Sequence, residues 1–137
     1  MTKSGRSTIQ TVALVFGAVY LLVGILGLIP FFGGSYTQAH NNLLGFVPIN
    51  LLHNIVHLLI GVAGLVAASS FVRSRAFCQI FGVVLLLIGV VGIFVANPLN
   101  LIPIGGFDIA IHLLTGGILA YFGFSTMSVP RPAGTPP

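Results

Sequence analysis

An all-α integral membrane protein, a four-transmembrane-helix bundle made of two parallel-repeat helical hairpins, is the fold this sequence predicts. Three observations predict it. Hydrophobic residues fill 56% of the 137 positions and charged residues 4%, with a mean hydropathy of +1.12. Four apolar stretches each approach the roughly 20 residues that a helix needs to cross hydrocarbon. All five Lys and Arg fall between or outside those stretches. A soluble domain carries about 25% charged residues, so this composition cannot supply a water-facing surface.

The elements follow in order. A short tail, 1–10, carries Lys3 and Arg6. The first span is expected over 11–32. Its apolar run is longer than the roughly 7–15 residues of a signal-peptide core and no A-x-A site follows it, so it is read as a retained helix. A loop over 33–47 has no cation. The second span is expected over 48–70, and a connection around 71–74 brings Arg73 and Arg75. The third span covers 76–96. A cation-free loop, 97–102, leads to the fourth span, 103–125. A Pro-rich tail, 126–137, contains Arg131. Pro48 and Pro103 are placed in first turns, where a missing N–H does no harm. Every cation then lies on one side, and the positive-inside rule puts both termini in the cytoplasm. The expected location is a bacterial inner membrane or an internal bacterial membrane.

The two halves of the chain match. At an offset of 65, FGAVYLLVGILGL (16–28) lies on FGVVLLLIGVVGI (81–93), with seven of 13 positions identical. At an offset of 55, Asn42, Pro48, His57 and Gly61 fall on Asn97, Pro103, His112 and Gly116. Rare residue types match, which chance similarity between apolar helices does not explain. A duplicated hairpin is therefore expected, over 11–70 and 76–125, with the copies related by a pseudo-two-fold axis along the membrane normal. Gly17 and Gly24, matched by Gly82 and Gly89, set small residues on one face of the first and third helices. Such faces let helices approach closely.

The repeat also organises the polar residues. His57 matches His112, and His53 matches Asp108, the only acidic residue in the chain. Residues four apart share a helix face. From helix starts at 48 and 103, His53 and Asp108 lie about 7 Å deep and His57 and His112 about 13 Å deep. Ionisable groups at such depth are costly and are functional candidates. Three readings fit. His53, His57, Asp108 and His112 could ligate a transition metal. His57 and His112 could serve as axial ligands to haem or chlorophyll. Alternatively, His–Asp and His–His hydrogen bonds across helices two and four would form a structural lock. Proton or quinone chemistry is a further use of the same groups. Metalloprotease chemistry is excluded: Asn54, Ile55 and Val56 fill the gap between His53 and His57, so the Glu of H-E-x-x-H is missing.

The remaining candidates are plainer. His40 reads as a loop surface residue. Cys78, the single cysteine, excludes an internal disulfide and a Cys-based zinc site. Tyr36 and Tyr121 stand near helix ends as interfacial anchors. The scattered cations make no nucleic-acid footprint.

The motif LLHNIVHLLIGVAGL (51–65), the G-x-x-Y-L-x-x-G-x-L-G pattern beginning at Gly17, and D-x-x-x-H-L-x-x-G beginning at Asp108 resemble an uncharacterised bacterial family of small four-span membrane proteins, a domain of unknown function. The resemblance runs over about 9–125. It implies the topology and draws attention to His53, His57, Asp108 and His112, and it implies no reaction. The expected role is a non-enzymatic accessory or subunit protein that meets partner helices, or further copies of itself, inside the bilayer. The alternatives are a metal-, haem- or pigment-binding protein using His57 and His112, and a small proton-coupled transporter.

Overall fold

The computed structural model describes residues 5–37, 39–95, 97 and 101–125. Lys3, Arg131, the tail over 126–137 and the end of the third expected span at Ala96 lie outside the described residues. Four helices dominate: α1 (Thr8–Gly27), α2 (Leu51–Ala67), α3 (Phe71–Phe94) and α4 (Phe107–Phe124). A 3₁₀ turn at Pro30–Phe32 and two short strands, β1 (Asn41–Leu43) and β2 (Val47–Ile49), occupy the stretch between α1 and α2. Helices α1, α3 and α4 are long and apolar enough to cross a membrane, and α2, with 17 residues, is shorter.

Each helix start has a local cause. Ser7 precedes α1, and its N–H and Oγ–H both donate to Gln10 Oε1, at 3.1 and 2.9 Å. Asn50 caps α2 by accepting the His53 N–H at 2.9 Å, which satisfies one of the donors that a helix start leaves free. Ser70 does the same for α3 through the Arg73 N–H. Helix α4 follows Gly106, whose φ of +54° suits a residue without Cβ.

The expected boundaries shift accordingly. Pro48 lies in β2 and Pro103 lies four residues ahead of α4, so neither stands in a first turn. Val47–Ile49 pairs antiparallel with Asn41–Leu43, Asn42 facing Pro48. Proline lacks an N–H and is tolerated on an edge strand such as this one. Pairing commits 47–49 to extended backbone, so α2 begins three residues later than expected. Helix α3 begins five residues earlier than expected and takes up Arg73 and Arg75. The connection from α2 shrinks to Ala68–Ser70.

Helix α1 packs chiefly along α2, and α3 along α4. A Cβ built on Gly17 would stand 2.6 Å from Leu65 N, and one on Gly82 would meet the Ala120 backbone. A Cβ on Gly24 would stand 2.9 Å from Leu58 Cγ, and one on Gly89 would stand 2.8 Å from Leu113 Cγ. These neighbours are themselves 55 residues apart. Gln10 Nε2 donates to Ala68 O at 3.2 Å, and Arg75 Nε donates to Gly123 O at 3.3 Å, again at offsets of 65 and 55.

Ile9, Ala13, Tyr20, Ile60, Phe77, Leu85 and Leu119 form the main buried cluster. Cys78 is buried beside Phe77. A second cluster joins Leu43, Val47 and Ile49 of the strands to Val23, Leu26 and Ile111, so the hairpin closes one end of the bundle. Large apolar side chains such as Leu22, Leu59, Val62, Leu87 and Leu114 face outward. An exposed apolar surface this extensive is suited to hydrocarbon and not to water.

Candidate functional site

The polar cluster sits beneath the strand hairpin, at the starts of α2 and α4. His53 is the third residue of α2 and Asp108 the second of α4. They therefore lie only about 2–3 Å along their helix axes, and His57 and His112 about 8–9 Å. The cluster is shallower than the expected helix starts implied, because 47–49 and 103–106 are not helical.

Burial is nearly complete: His53 and Asp108 are each 2% exposed, His57 6% and His112 5%. The structure brings three of the four together. His53, Asp108 and His112 each offer one potential ligand atom, and these atoms lie within 4.8 Å of one another. His57 stands beside this triad. Its ring centroid is 4.4 Å from that of His53 and 5.5 Å from that of Tyr20, which meets it edge-on.

Hydrogen bonding orients one ring. His112 Nδ1 lies 2.8 Å from Asp108 O. A carbonyl only accepts, so Nδ1 carries the proton and donates. The same Nδ1 lies 3.3 Å from Asp108 Oδ1. In the neutral ring, Nε2 then keeps its lone pair. Carboxylate and carbonyl partners on the far nitrogen of a ligating histidine are a recurring feature of metal sites. Asp108 sits in the first turn of α4, where free N–H groups favour a negative charge. Arg6, Arg73 and Arg75 lie at the other end of the helices.

The hydrogen bonds across α2 and α4 that the lock reading requires are not seen among the described residues: none joins a histidine of α2 to a group of α4. His53 Nδ1, His57 Nδ1 and Asp108 Oδ2 are buried without a hydrogen-bond partner. A buried polar atom left unpaired costs about 1–3 kcal/mol. Three such atoms stand on neighbouring side chains here.

Three residues near the cluster have a place that the sequence did not assign. Asn54 points away from the histidines: its Nδ2 donates to Gly27 O at 2.5 Å and to Ser35 O at 2.7 Å. It ties the stretch after α1 to α2. Replacing Asn54 with Leu keeps the volume and leaves Ser35 O unpaired, an expected loss of about 1–3 kcal/mol. Faster amide exchange at Ser35 and Leu51, whose N–H groups bond to Gly27 O and Thr37 O, would show the loosening. The other two are Tyr20 and Thr115, whose hydroxyls are 3.1 Å apart. A signal for them was present, since the residues at the matching offsets of 65 and 55 are Leu85 and Ile60. His40 is exposed, as expected, and Tyr36 and Tyr121 are exposed as well.

Comparison with curated proteins and with solved structures finds no match. The chain does match a family model over residues 10–125, and on that extent it belongs to the family described as a domain of unknown function, DUF4383.

Proposed function

We propose that this chain is a four-span membrane protein, built from two copies of a helical hairpin, that holds a divalent transition-metal ion through His53, Asp108 and His112. The observation that carries the reading is that His53, Asp108 and His112, all buried, each offer a ligand atom within 4.8 Å of the others. His53 Nδ1 and Asp108 Oδ2 are buried without partners, and His112 Nε2 is freed by the Nδ1 bond to Asp108 O. Two imidazoles and a carboxylate with an open fourth position are the donor set of many zinc and ferrous sites. The separations, up to 4.8 Å, exceed the roughly 3.4 Å edge of a tetrahedral zinc shell.

Support for four spans comes from α2 itself. At 17 residues it is about 26 Å long, at the lower limit for a spanning helix, and the strand hairpin extends it at one end. Recurrence of the glycine contacts and of the Gln10 and Arg75 hydrogen bonds at one pair of offsets supports duplication. Arg6, Arg73 and Arg75 stand at one end of the helices, which supports a cytoplasmic location for that end. Partners, including further copies of the chain, would be met through the apolar outer faces.

A bare ion suits the site better than a pigment. The cavities beside the histidines measure about 250 and 270 Å³, less than the usual range even for a drug-sized ligand. Proton-coupled transport is a weaker reading. At the opposite end the polar side chains are already spent on backbone carbonyls, Ser74 on Ala67 O and Gln79 on Gly123 O.

Elemental analysis of protein purified in mild detergent tests the proposal, with Co²⁺ loading as a spectroscopic check. The expected result is close to one ion per chain and a tetrahedral cobalt spectrum, both weakened in Asp108→Asn. A folded protein that takes up neither zinc, iron nor cobalt would overturn it.

A further inference from the structure

Two clefts flank the pair His57 and His112, and both histidines line both clefts. One cleft lies against α3, the other against α1 and the strand hairpin. Nine of the ten residues lining the first have a counterpart, 65 residues earlier on α3 or 55 residues away elsewhere, lining the second; Ile104 is the exception. The two clefts are thus the same place in the two halves of the chain. They have diverged in chemistry. Where the first has Leu85 and Ile60, the second has Tyr20 and Thr115, and where the first has His53, the second has Asp108.

We propose that the second cleft binds the hydroxylated ring of a lipid-soluble quinol, with the hydrocarbon tail leaving past Val19 and Phe46. The direction of the hydrogen bonds selects this chemistry. Thr115 Oγ1 donates its one proton to Ile111 O at 2.7 Å. The 3.1 Å contact with Tyr20 Oη then requires Tyr20 to donate and Thr115 to accept. Tyr20 Oη is left with lone pairs alone. Asp108, the other polar residue particular to this cleft, is an acceptor when ionised. Such a cleft wants hydroxyl donors.

Anionic head groups are disfavoured, because no described Lys or Arg lines the cleft. The volume of about 270 Å³ holds a single substituted ring and not a whole lipid. Flat neighbours, Tyr20, Phe46, His57 and His112, favour a flat guest. The mouth is apolar and open, with Val19 50% and Phe46 52% exposed. A tail emerging there stays in contact with apolar surface.

Asp108 and His112 belong both to this cleft and to the metal triad, whereas Tyr20 and Thr115 belong to the cleft alone, so changes at Tyr20 test this site separately from the metal. The test is an anaerobic titration of the protein in lipid nanodiscs with decylubiquinol, followed by methyl NMR, with metal content measured on the same sample. Resonances of Val19, Val23 and Thr115 should shift, and those of Leu85 and Ile88 should not. Decylubiquinone has nearly the same shape and no hydroxyl donors, and should bind at least about tenfold more weakly. Tyr20→Phe should bring quinol affinity down to that of the quinone with metal content unchanged. Val19→Trp, at the exposed mouth, should block binding of both forms without threatening the fold. Equal affinity for the two oxidation states would overturn the proposal. So would equal shifts at Leu85 and Ile88, displacement of the quinol by oleate at equal concentration, or no effect of Tyr20→Phe.

Discussion

Replacing Gly17 or Gly82 with alanine is expected to destabilise the protein by about 1–3 kcal/mol, while Gly117→Ala leaves it unchanged or slightly more stable. The sign follows from two opposed effects. Alanine is the better helix former, worth about 1 kcal/mol over glycine. Against this stands overpacking, which costs about 1–3 kcal/mol and occasionally more when the neighbour cannot yield. At Gly17 the new methyl would lie 2.6 Å from Leu65 N and 2.8 Å from Gly64 C. Both are backbone atoms of the partner helix, so relief requires α1 and α2 to move apart along their whole contact. Gly82 meets the Ala120 backbone in the same way. Gly89 meets chiefly the Leu113 side chain, with the Leu113 backbone N at 3.2 Å, so alanine there should cost less; Gly24 meets the Leu58 backbone N at 2.9 Å as well as its side chain and should fall between. Around Gly117 nothing lies within 4 Å, and only the propensity gain remains. Thermal unfolding of the detergent-solubilised variants checks the order. If Gly17→Ala and Gly117→Ala shift the midpoint equally, close helix contact is not what holds the hairpins together.

The second large effect concerns the ion. His112→Ala and His53→Ala should each lower metal affinity by more than about 100-fold, and His57→Ala by less than about tenfold. Changes to groups that merely orient a ligand cost about 10–100-fold, so loss of a ligating nitrogen costs at least the upper figure. His57 is excluded from the set that lies within 4.8 Å and instead packs against His53 and Tyr20. Competitive titration with a chelating dye gives the three affinities. Equal loss in all three variants would restore the four-ligand arrangement suggested by the spacing. Unchanged affinity in His112→Ala would remove the triad from consideration.

Most of the architecture was legible in the residues. Four helices arise at the four apolar stretches, because runs of such length and hydropathy leave the backbone no partner but itself. The strands were not legible. Three residues on each side give no alternating pattern long enough to stand out, and they fall in the expected loop, 33–47, and the expected start of the second span at Pro48. Their pairing depends on the 3₁₀ turn at Pro30–Phe32, which brings Phe32 O to the Leu44 N–H at 2.7 Å. That long-range contact delayed α2 and moved His53 and Asp108 close to helix ends.

For the site, the sequence by itself determined which residues are candidates. Ionisable groups are so few here that His53, His57, Asp108 and His112 select themselves, and the repeat pairs them. Only the tertiary structure decided how they are grouped. Helical spacing says that His53 shares a face with His57, and Asp108 with His112. How far one face turns toward the other depends on the rotation of α2 against α4, which is set by glycine contacts with α1 and α3. That rotation places His53 with the α4 pair, leaves His57 against Tyr20, and turns Asn54 outward to Gly27 and Ser35. Spacing along a chain fixes neighbours within one helix. Convergence between helices is a property of packing, and the residues that control it lie elsewhere in the chain.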